Sequence, residues 1–426
     1  MNDCLRWSAR ELVTRLARRE IPVLSAVEAF IERTDAIEPD IQAWQHFDPA
    51  QARAQARALD SGTASGSLYG LPVGVKDLMD TSDMPTTYGS PIYTGHRPAV
   101  DAGCVAASRS AGAIVMGKTV TTEFATFQPG PTRNPRSTVS SPRTPGGSSS
   151  GSAAAVAAGM VPVAFGTQTA GSIVRPAAYC GVVGYKPTHG TLPLAGIKPL
   201  SPSLDTVGAL ARTVDDAAFF VGVLARLPLD PQPTASLRVG LCHTPYWDRA
   251  SEDTRQAMAT ASRLFERNGA RLSDITLPSH FAPLNDAQID IMGYEAAAAF
   301  APELRTAAER FSPAFAAVLA NGRRIDGNRF FAALAQARQA RNALDTMFEQ
   351  FDVILAPSTE GTAPAGLQAT GDPVFNRMWS LLGNPCVHVP VGTGQDGMPI
   401  GVTLVGRTFH DVQVLAAAHA LERSLA

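Results

Sequence analysis

The sequence predicts an α/β fold, because apolar runs of strand length alternate with longer amphipathic runs of helix length. Beyond residue 161 the order is strand, helix, strand, helix, strand; the segments are VPVAFG, DDAAFFVGVLARL, LRVGLC, SEDTRQAMATASRLFERNG and RLSDIT. Hydrophobic residues make up 45% of the 426 positions and charged residues 17%, so the chain can bury a large core. The sequence contains no internal repeat and no domain boundary near its middle.

The other elements follow from local patterns along the chain. Three helices are predicted in the first sixty residues: Ser8 opens the first, Ser25 with Glu28 opens the second as a capping box, and PAQARAQARALD forms the third. LPVGVKDLM and AIVMG predict strands on either side of a helix at 103–112. A helical stretch over 285–350 precedes three strands, FDVILAP, CVHVPVG and IGVTLVG, and a closing helix, DVQVLAAAHALERSLA.

Charge and cysteine content argue against several classes of protein. The 36 Lys and Arg residues against 38 Asp and Glu give a net charge of −2, unlike a general binder of nucleic acid or anionic membranes. Five scattered cysteines without a C-x-x-C pair indicate a reducing compartment, not a disulfide scaffold or a zinc site; they are Cys4, Cys104, Cys180, Cys242 and Cys386. Because the sequence shows neither a signal-peptide pattern nor eighteen consecutive apolar residues, we expect a cytoplasmic protein without a membrane span.

Three short matches to known motifs fail on their structural context. GAIVMGKT, residues 112–119, has the spacing of a phosphate-binding loop, but its four central residues predict a strand. GTGQDG, residues 392–397, lies between two predicted strands and therefore indicates a hairpin loop instead of a dinucleotide site. GSSSG, residues 147–151, would make Ser149 a nucleophile on a strand-to-helix turn, but the prolines of SPRTPG exclude a central strand before it.

Three other segments carry residues suited to catalysis. Lys76 lies in the apolar run GLPVGVKDLM, where a lysine is either paired with Asp77, extended to the surface, or desolvated and able to act as a base. PGGSSSGSAAAVAAG interleaves four serines with glycines at a predicted helix start, which is more than helix capping needs. In FGTQTAGSIVRPAAYCGVVGYKPT, the Thr-Ala-Gly-Ser stretch can direct several backbone N–H groups inward, as an oxyanion hole requires.

Together these segments resemble the amidase signature family of serine hydrolases. The resemblance runs almost continuously through TPGGSSSGSAAAVAAGMVPVAFGTQTAGSIVRPAAYCGVVGYKPTHG and extends to GLPVGVKD, LAPSTEGTAPA, LLGNPCVHVPVG and MPIGVTLVGRTFHD. It implies a single α/β domain over 1–426, with a mixed central β-sheet covered on both faces by α-helices. Within it we expect an N-terminal helical segment at 1–60, a catalytic core at 70–230, a helical substrate-side segment at 285–350, and core strands with a helix at 351–426.

The resemblance also implies a Ser-Ser-Lys relay. Lys76 matches the catalytic lysine, Ser148 the bridging serine that follows a cis peptide bond, and Ser172 the nucleophile that forms an acyl-enzyme. The oxyanion hole would consist of four backbone N–H groups, those of Thr169, Ala170, Gly171 and Ser172. This mechanism requires no metal ion and no cofactor.

The signature departs from the commonest family pattern in ways that bear on the substrate. Ala170 stands where a glycine is usual and would be strained at positive φ. The pattern T-Q-T-x-G-S-x-x-R-P resembles malonamidase-like members, in which the arginine three residues after the nucleophile binds the substrate's carboxylate; Arg175 matches it. The alternative is a structural arginine paired with an acid or with backbone carbonyls. Ser149 and Gln168 complete the predicted substrate-binding residues.

These observations leave three functions to separate. The first is hydrolysis of a small amide to an acid and ammonia or amine, with malonamate-like amides favoured. The second is the A subunit of a tRNA-dependent amidotransferase, acting as a glutaminase with partner subunits. The third is a non-catalytic binding protein, which the presence of Lys76, Ser148 and Ser172 disfavours. For the first function we expect a small-molecule amide as partner, no nucleic acid, no membrane and, from the family, a homodimer.

Overall fold

One β-sheet of eleven strands runs through the part of the chain that the structure, a computed structural model, describes: residues 2–63, 65–232 and 236–425. In chain order the strands are β1 (Trp44–Phe47), β2 (Pro72–Lys76), β3 (Ile114–Thr119), β4 (Val163–Gln168), β5 (Val183–Lys186), β6 (Thr206–Ala211), β7 (Arg238–Leu241), β8 (Arg271–Asp274), β9 (Val353–Pro357), β10 (Cys386–Thr393) and β11 (Pro399–Val405). Their order across the sheet is β1-β3-β2-β4-β6-β5-β10-β11-β9-β7-β8.

The sheet is mixed and covered on both faces. β2 pairs in parallel with β3 and β4, and β7 pairs in parallel with β8 and β9, whereas the other pairs are antiparallel. Every residue of β2, β3, β4, β6, β9 and β11 is buried. Because successive side chains of a strand point to opposite faces, both faces of the central sheet are covered. The predicted single α/β domain is confirmed, while the segment boundaries inside it stay predictions.

Helices surround the sheet. They are α1 (Ala9–Ala17), α2 (Val23–Ile41), α3 (Pro49–Ser61), α4 (Gly103–Ser110), α5 (Ser150–Ala157), α6 (Val174–Cys180), α7 (Val214–Ala225), α8 (Glu252–Arg267), α9 (Leu284–Ala299), α10 (Ala301–Thr306), α11 (Pro313–Gly322), α12 (Gly327–Met347), α13 (Arg377–Leu382) and α14 (Asp411–Arg423). α5 packs on β4, α7 on β6, α8 on β11 and α14 on β10. Within the described residues, none of the helices combines the length and apolar character that crossing a membrane needs.

The second helix begins earlier than the sequence predicts. α2 begins at Val23, not at Ser25, because the carboxylate of Asp60 accepts hydrogen bonds from the N–H groups of the helix's first two residues, at 2.8 and 2.9 Å. Glu28 therefore does not complete a capping box. Its carboxylate forms two hydrogen bonds with the guanidinium of Arg53, at 2.8 and 2.9 Å.

The three rejected motif matches have the structures that their context predicts. The apparent phosphate-binding loop at 112–119 follows α4 and contains all of β3. Residues 392–397 form part of the hairpin between β10 and β11. Irregular backbone, not a strand, precedes the serine-rich start of α5.

The topology brings the predicted catalytic segments together. β2 and β4 are parallel neighbours, so their carboxyl ends meet at one edge of the sheet. β2 ends at Lys76 and β4 ends at Gln168, immediately before the Thr-Ala-Gly-Ser stretch. α5 packs against both strands, and this places its serine-rich start beside the same edge.

Candidate active site

Lys76 is a fully buried amine without a carboxylate partner. Its side chain is 0% exposed, and Nζ lies 2.8 Å from Ser148 Oγ and 2.6 Å from Thr167 Oγ1. Among the described residues no acid lies within ion-pair distance of it. Burial lowers the pKa of Lys76 well below its usual range, and the charge of Asp205 only partly opposes this shift. The amine is therefore held toward its neutral, basic form.

Asp77 does not neutralise Lys76. Its carboxylate lies 3.1 Å from the Nζ of Lys118, with both side chains fully buried, and it also accepts a hydrogen bond from the Thr87 N–H at 3.0 Å. The alternative of a Lys76–Asp77 pair is therefore wrong. Lys118 is the lysine of the apparent phosphate-binding loop, and the structure uses it as the partner of Asp77.

Ser148 follows a cis peptide bond after Gly147, as the resemblance implies, and it is fully buried. The neighbouring serines bind the sheet. Ser149 Oγ lies 3.3 Å from both the backbone N and O of Thr167, and the hydroxyls of Ser150 and Ser152 bond to β3 or the residue after it. These contacts explain the number of serines at the start of α5. They bind the Ser149 hydroxyl to the protein framework, and the contact of Ser149 with substrate stays a prediction.

The loop at 169–172 keeps its carbonyl groups bound and its N–H groups available. Each of its four carbonyl oxygens accepts a hydrogen bond from the protein; the donors in chain order are Gln288 Nε2, Ser380 Oγ, the Arg175 N–H and the Ser149 N–H. Within the described residues, the N–H groups of Ala170, Gly171 and Ser172 donate to no protein acceptor. An oxyanion hole needs such unoccupied donors.

Backbone conformation at this loop suits its sequence. Ala170 does not adopt a positive φ, so alanine in place of the usual glycine carries no strain there. Gly171 is required for a different reason: a Cβ at this position would lie 2.5 Å from Asn376 Oδ1 and 2.7 Å from Pro373. The close approach of the segment preceding α13 therefore excludes a side chain at 171.

Gln168 holds the loop from behind. Its Oε1 accepts hydrogen bonds from the N–H groups of Ile173 and Val174, at 2.8 and 3.0 Å, and its Nε2 donates to Ser380 Oγ at 3.0 Å. The side chain therefore satisfies the start of α6 and links it to α13. The contact of Gln168 with substrate stays a prediction.

Ser172 lies between the loop and α6 and is 7% exposed. Its carbonyl accepts a hydrogen bond from the Ser149 N–H at 3.3 Å, which ties the loop to the serine-rich segment. Its hydroxyl makes no hydrogen bond to any described residue, Ser148 included. The structure thus joins Lys76 to Ser148 directly and joins Ser172 to the same cluster through the backbone.

Arg175 is a buried guanidinium without an acidic partner. It is 2% exposed, and Nη2 donates to the carbonyl of Gly147 at 2.8 Å and to Thr370 Oγ1 at 3.3 Å. Nε and Nη1 are buried and have no hydrogen-bond partner among the described residues. Burial lowers the pKa of Arg175 to about 10, so it remains a cation at neutral pH. The predicted alternative of an acidic partner is wrong, whereas a backbone carbonyl does bind it.

A comparison with known families settles the class of this site. A family model described as Amidase matches residues 25–415. The protein belongs to the amidase signature family. Together with the solved amidases that it resembles, this makes the chain an amide-cleaving hydrolase.

Individual relatives differ in what they do. The A subunit of the Glutamyl-tRNA(Gln) amidotransferase of Roseiflexus castenholzii is 35% identical, over 97% of this amidase and 94% of the relative. A crystal structure of an amidase matches with a TM-score of 0.90 and 31% identity, over 99% of this chain and 100% of that one. The structure of the corresponding A subunit from Thermotoga maritima matches with a TM-score of 0.79 and 28% identity, over 99% of this chain and 93% of that one. None of these names a malonamidase, so the predicted subgroup is not confirmed.

Several residues of the site escaped the sequence analysis. Asp205 is buried, accepts the Thr169 hydroxyl, and accepts the N–H groups of Leu200 and Ser201 at 2.9 and 3.0 Å. Burial raises its pKa to about 6. An acid inside the small and apolar segment SPSLDTVG was a signal that could have identified it. Gln288 and Ser380 had no such signal, because they reach the loop only through the tertiary fold.

A cavity of about 480 Å³ opens between α9, α11 and α12. Four large side chains had no predicted place relative to a pocket. Met292 lines this cavity, Trp379 is buried in the core, and Tyr294 stacks on Phe330 with ring centroids 4.2 Å apart. Among the described residues, no three His, Cys, Asp or Glu side chains lie where they could hold a metal ion.

Proposed function

We propose that this amidase hydrolyses a small amide that carries a carboxylate, with Ser172 as nucleophile, Ser148 as proton relay and Lys76 as base. The observation that carries the proposal is the buried guanidinium of Arg175, three residues after Ser172, with two nitrogens lacking a partner. A buried cation without an anion is costly, and a substrate carboxylate would supply both the charge and the acceptors.

Proton transfer begins at the buried amine. Neutral Lys76 takes the Ser148 hydroxyl proton across 2.8 Å, and Ser148 takes the proton of the Ser172 hydroxyl as that oxygen attacks the amide carbon. The Ser172 hydroxyl has no protein partner in the described residues, so it can turn between Ser148 and the substrate. Hydrogen bonds of this kind commonly tighten only when substrate is bound.

The oxyanion forms beside the loop at 169–172. The unoccupied N–H groups of Ala170, Gly171 and Ser172 stabilise the negative charge of the tetrahedral intermediate. The relay then returns a proton to the departing nitrogen, the carbon–nitrogen bond breaks, and ammonia or an amine leaves an ester on Ser172. Water, deprotonated by the same relay, attacks the ester and releases the acid.

A second candidate function is favoured by the curated relatives. The relative from Roseiflexus castenholzii is the A subunit of an amidotransferase, and in that case this chain would act as a glutaminase beside partner subunits. Glutamine carries an α-carboxylate, which Arg175 could bind equally well. The alignment with that relative covers 471 positions, whereas this chain has 426 residues, so the relative contains stretches that this chain lacks.

Ammonia release from a panel of amides separates the two functions. The panel consists of malonamate, succinamate, glutamine, a neutral aliphatic amide and an aryl amide. We expect the two carboxylate-bearing amides without an amino group to have the highest kcat/KM. Higher activity on glutamine, above all when a second polypeptide co-purifies, would instead support the amidotransferase function. Native mass spectrometry on the same preparation tests the predicted homodimer.

Two variants test the residue roles. Ser172→Ala is expected to lower kcat by roughly 10⁴-fold or more on every amide, because the acyl-enzyme cannot form. Arg175→Gln is expected to raise KM about 10- to 100-fold for carboxylate-bearing amides only, since charge-assisted hydrogen bonds are lost. Retained activity in Ser172→Ala contradicts the nucleophile, and an equal loss on neutral amides makes Arg175 a structural support of Gly147.

A further inference from the structure

The cavity between α9, α11 and α12 lies beside the point where two glycines let α9 and α11 come into contact. A Cβ at Gly322 would lie 1.9 Å from the carbonyl oxygen of Gly293, so the helices meet there without side chains. Both glycines line the cavity, together with Met292 and Arg377. Its volume of about 480 Å³ exceeds what malonamate, with seven non-hydrogen atoms, requires.

Hydrogen bonds connect Arg377, which lines this cavity, to the oxyanion loop. Arg377 Nη1 donates to Gln288 Oε1 at 2.9 Å, and Gln288 Nε2 donates to the Thr169 carbonyl at 3.2 Å. α13, which begins at Arg377, also supplies the Ser380 hydroxyl that binds the Ala170 carbonyl at 2.6 Å. Arg377 therefore links the lining of the cavity to the oxyanion loop through Gln288.

Arg377 brings an unpaired positive charge to the cavity. It is 9% exposed, and no described acid lies within ion-pair distance. Asp290, the acid that lines the cavity, makes two hydrogen bonds with Arg329, at 2.7 and 2.6 Å. Of the guanidinium nitrogens of Arg377, only Nη1 has a protein partner among the described residues, which leaves the N–H groups of the other two for a ligand.

Charged groups facing Arg377 come from three surrounding segments, and none of them forms an ion pair with it. Asp372, Tyr246 and Asp286 favour its charged form, against burial, which lowers its pKa. The nearby guanidinium of Arg175 is a second cation, and Arg377 adds to the burial that lowers the pKa of Arg175. Arg175 and Arg377 are thus two buried cations, and neither forms an ion pair with an acid of the described residues.

We propose that Arg377 determines specificity by binding the acidic group of a substrate longer than malonamate, in the cavity and away from the scissile amide. The substrate is then an amide with an acidic group at its far end, longer than malonamate. This inference rests on the proposed function and adds to it a substrate length and a second arginine that can bind the substrate's carboxylate. The competing role for Arg377 is structural: it holds Gln288, which in turn holds the Thr169 carbonyl.

A series of ω-carboxy amides tests the inference. The series is malonamate, succinamate, glutaramate and adipamate, each beside the neutral primary amide of equal length. For wild type we expect kcat/KM to rise toward the longer acids. Arg377→Met should lower kcat/KM for adipamate about 10- to 100-fold more than for the neutral amide of equal length, in addition to any loss that both amides share because Gln288 is no longer held. Arg377→Lys should restore part of the preference, because it keeps the charge.

A matched control removes the same charge nearby. Arg338 lies on the exposed side of α12, outside the cavity lining. Arg338→Gln should therefore leave every KM unchanged. If Arg377→Met instead lowers kcat on all amides by one common factor, or wild type prefers malonamate, Arg377 only positions Gln288 and the inference is wrong.

A binding measurement separates this inference from the proposed function. Ser172→Ala, which cannot turn over substrate, is titrated with adipate and with pentanoate in a calorimeter. We expect adipate to bind at least tenfold more tightly, and the added Arg377→Met substitution to abolish the difference. Equal binding of the two acids overturns the role of Arg377, even if amide hydrolysis is observed. A preserved adipate preference without hydrolysis of any amide would contradict the proposed function alone.

Discussion

At the scale of single residues, two buried lysines show how an acidic neighbour decides the role of an amine. Lys118 lies 3.1 Å from the carboxylate of Asp77, whereas Lys76 has only hydroxyl and carbonyl partners. A paired lysine is stabilised as a cation, and an unpaired one is driven toward the neutral amine. The chain thus separates a structural lysine from a basic one although Lys76 and Asp77 are adjacent in sequence.

The pH dependence of catalysis tests the basicity of Lys76. Because burial lowers its pKa well below 10.5, the neutral amine persists to lower pH than for an ordinary lysine. Activity should therefore be lost as pH falls through the lowered pKa, and kcat/KM should already reach its plateau well below pH 10.5. A pH–rate profile measures this. An acid limb near pH 10.5, or full activity in Lys76→Met, contradicts the assignment of Lys76 as base.

Removing the acid of the other pair should destabilise the fold. Asp77→Asn leaves Lys118 buried without a counter-charge, which costs about 3–5 kcal/mol of unfolding free energy at neutral pH. Burial already lowers the pKa of Lys118 in the wild type, and without the opposing charge of Asp77 this pKa falls further, so the unfolded variant binds more protons than the folded one and stability rises with pH toward 10.4 more strongly than in the wild type. Denaturant unfolding at pH 7 and pH 9 measures both effects.

The matched control for that experiment is Glu28→Gln. Its pair with Arg53 is about one-third exposed on both sides, so we expect a loss of no more than about 1 kcal/mol. If both variants lost the same unfolding free energy, burial of the Lys118–Asp77 pair would not make the loss of its acid more costly than in an exposed pair.

At the scale of secondary-structure elements, the geometry of the oxyanion loop depends on two helices distant in sequence. α9 supplies Gln288, and α13 supplies Ser380, each to a carbonyl of the loop. With its carbonyls held, the loop cannot rotate its N–H groups away from the substrate. This is preorganisation by neighbouring elements, and the loop's own sequence does not provide it.

A methyl group at Gly171 should displace the loop from α13. Gly171→Ala places a Cβ 2.5 Å from Asn376 Oδ1, so either the loop or α13 must shift. We expect kcat to fall by about 100-fold with a small change in KM, because oxyanion donors move out of position. Gly327→Ala, whose added Cβ meets nothing nearer than 3.8 Å, is the control and should keep wild-type kcat. Unchanged kcat in Gly171→Ala would show that the loop tolerates the shift.

How far the sequence predicts these elements depends on the range of the interactions that fix them. The Ser8 cap of α1 and the strand β2 follow from neighbours in sequence, and both were predicted, although the predicted strand continued beyond Lys76 to Met79. The start of α2 was not predicted correctly, because the carboxylate that binds its first N–H groups belongs to Asp60, more than thirty residues away in sequence. β5 and β6 were missed as well, since short glycine-containing strands lack a clear alternation.

The site divides in the same way. Ser148 and Ser172 lie in one almost continuous pattern and Lys76 in the upstream segment GLPVGVKD, so the resemblance predicts roles for all three. Ser149 and Gln168 lie in that pattern too, yet their hydrogen bonds go to the protein framework, which only the fold reveals. Roles that depend on a side chain's partners, such as those of Gln288 and Arg377, have no local signature at all.

At the scale of the whole molecule, the fold buries every cysteine of the chain. All five are buried, in segments from the N-terminus to β10. Burial raises the thiol pKa values of Cys104 and Cys242 to about 12 and that of Cys386 to about 11, and it raises that of Cys180 as well. Thiolate, the reactive form, is therefore scarce in the folded protein.

Thiol titration tests this burial. With a disulfide reagent at pH 8 we expect the native protein to react slowly or not at all, and the denatured protein to release five equivalents. Fast reaction of one or more thiols in the native state would show that part of the fold opens on the time scale of the assay.

The distribution of lysine has a practical consequence. The chain has four lysines against thirty-two arginines; Lys76, Lys118 and Lys186 are fully buried, and the Lys198 side chain is 16% exposed and ion-paired with Glu303. Acylating reagents of the kind used for dye labelling, surface coupling or cross-linking attack uncharged, accessible primary amines, and guanidinium groups do not substitute for them. Lysine-directed labelling will therefore report unfolded molecules in a preparation, and surface attachment of the active protein needs a different chemistry.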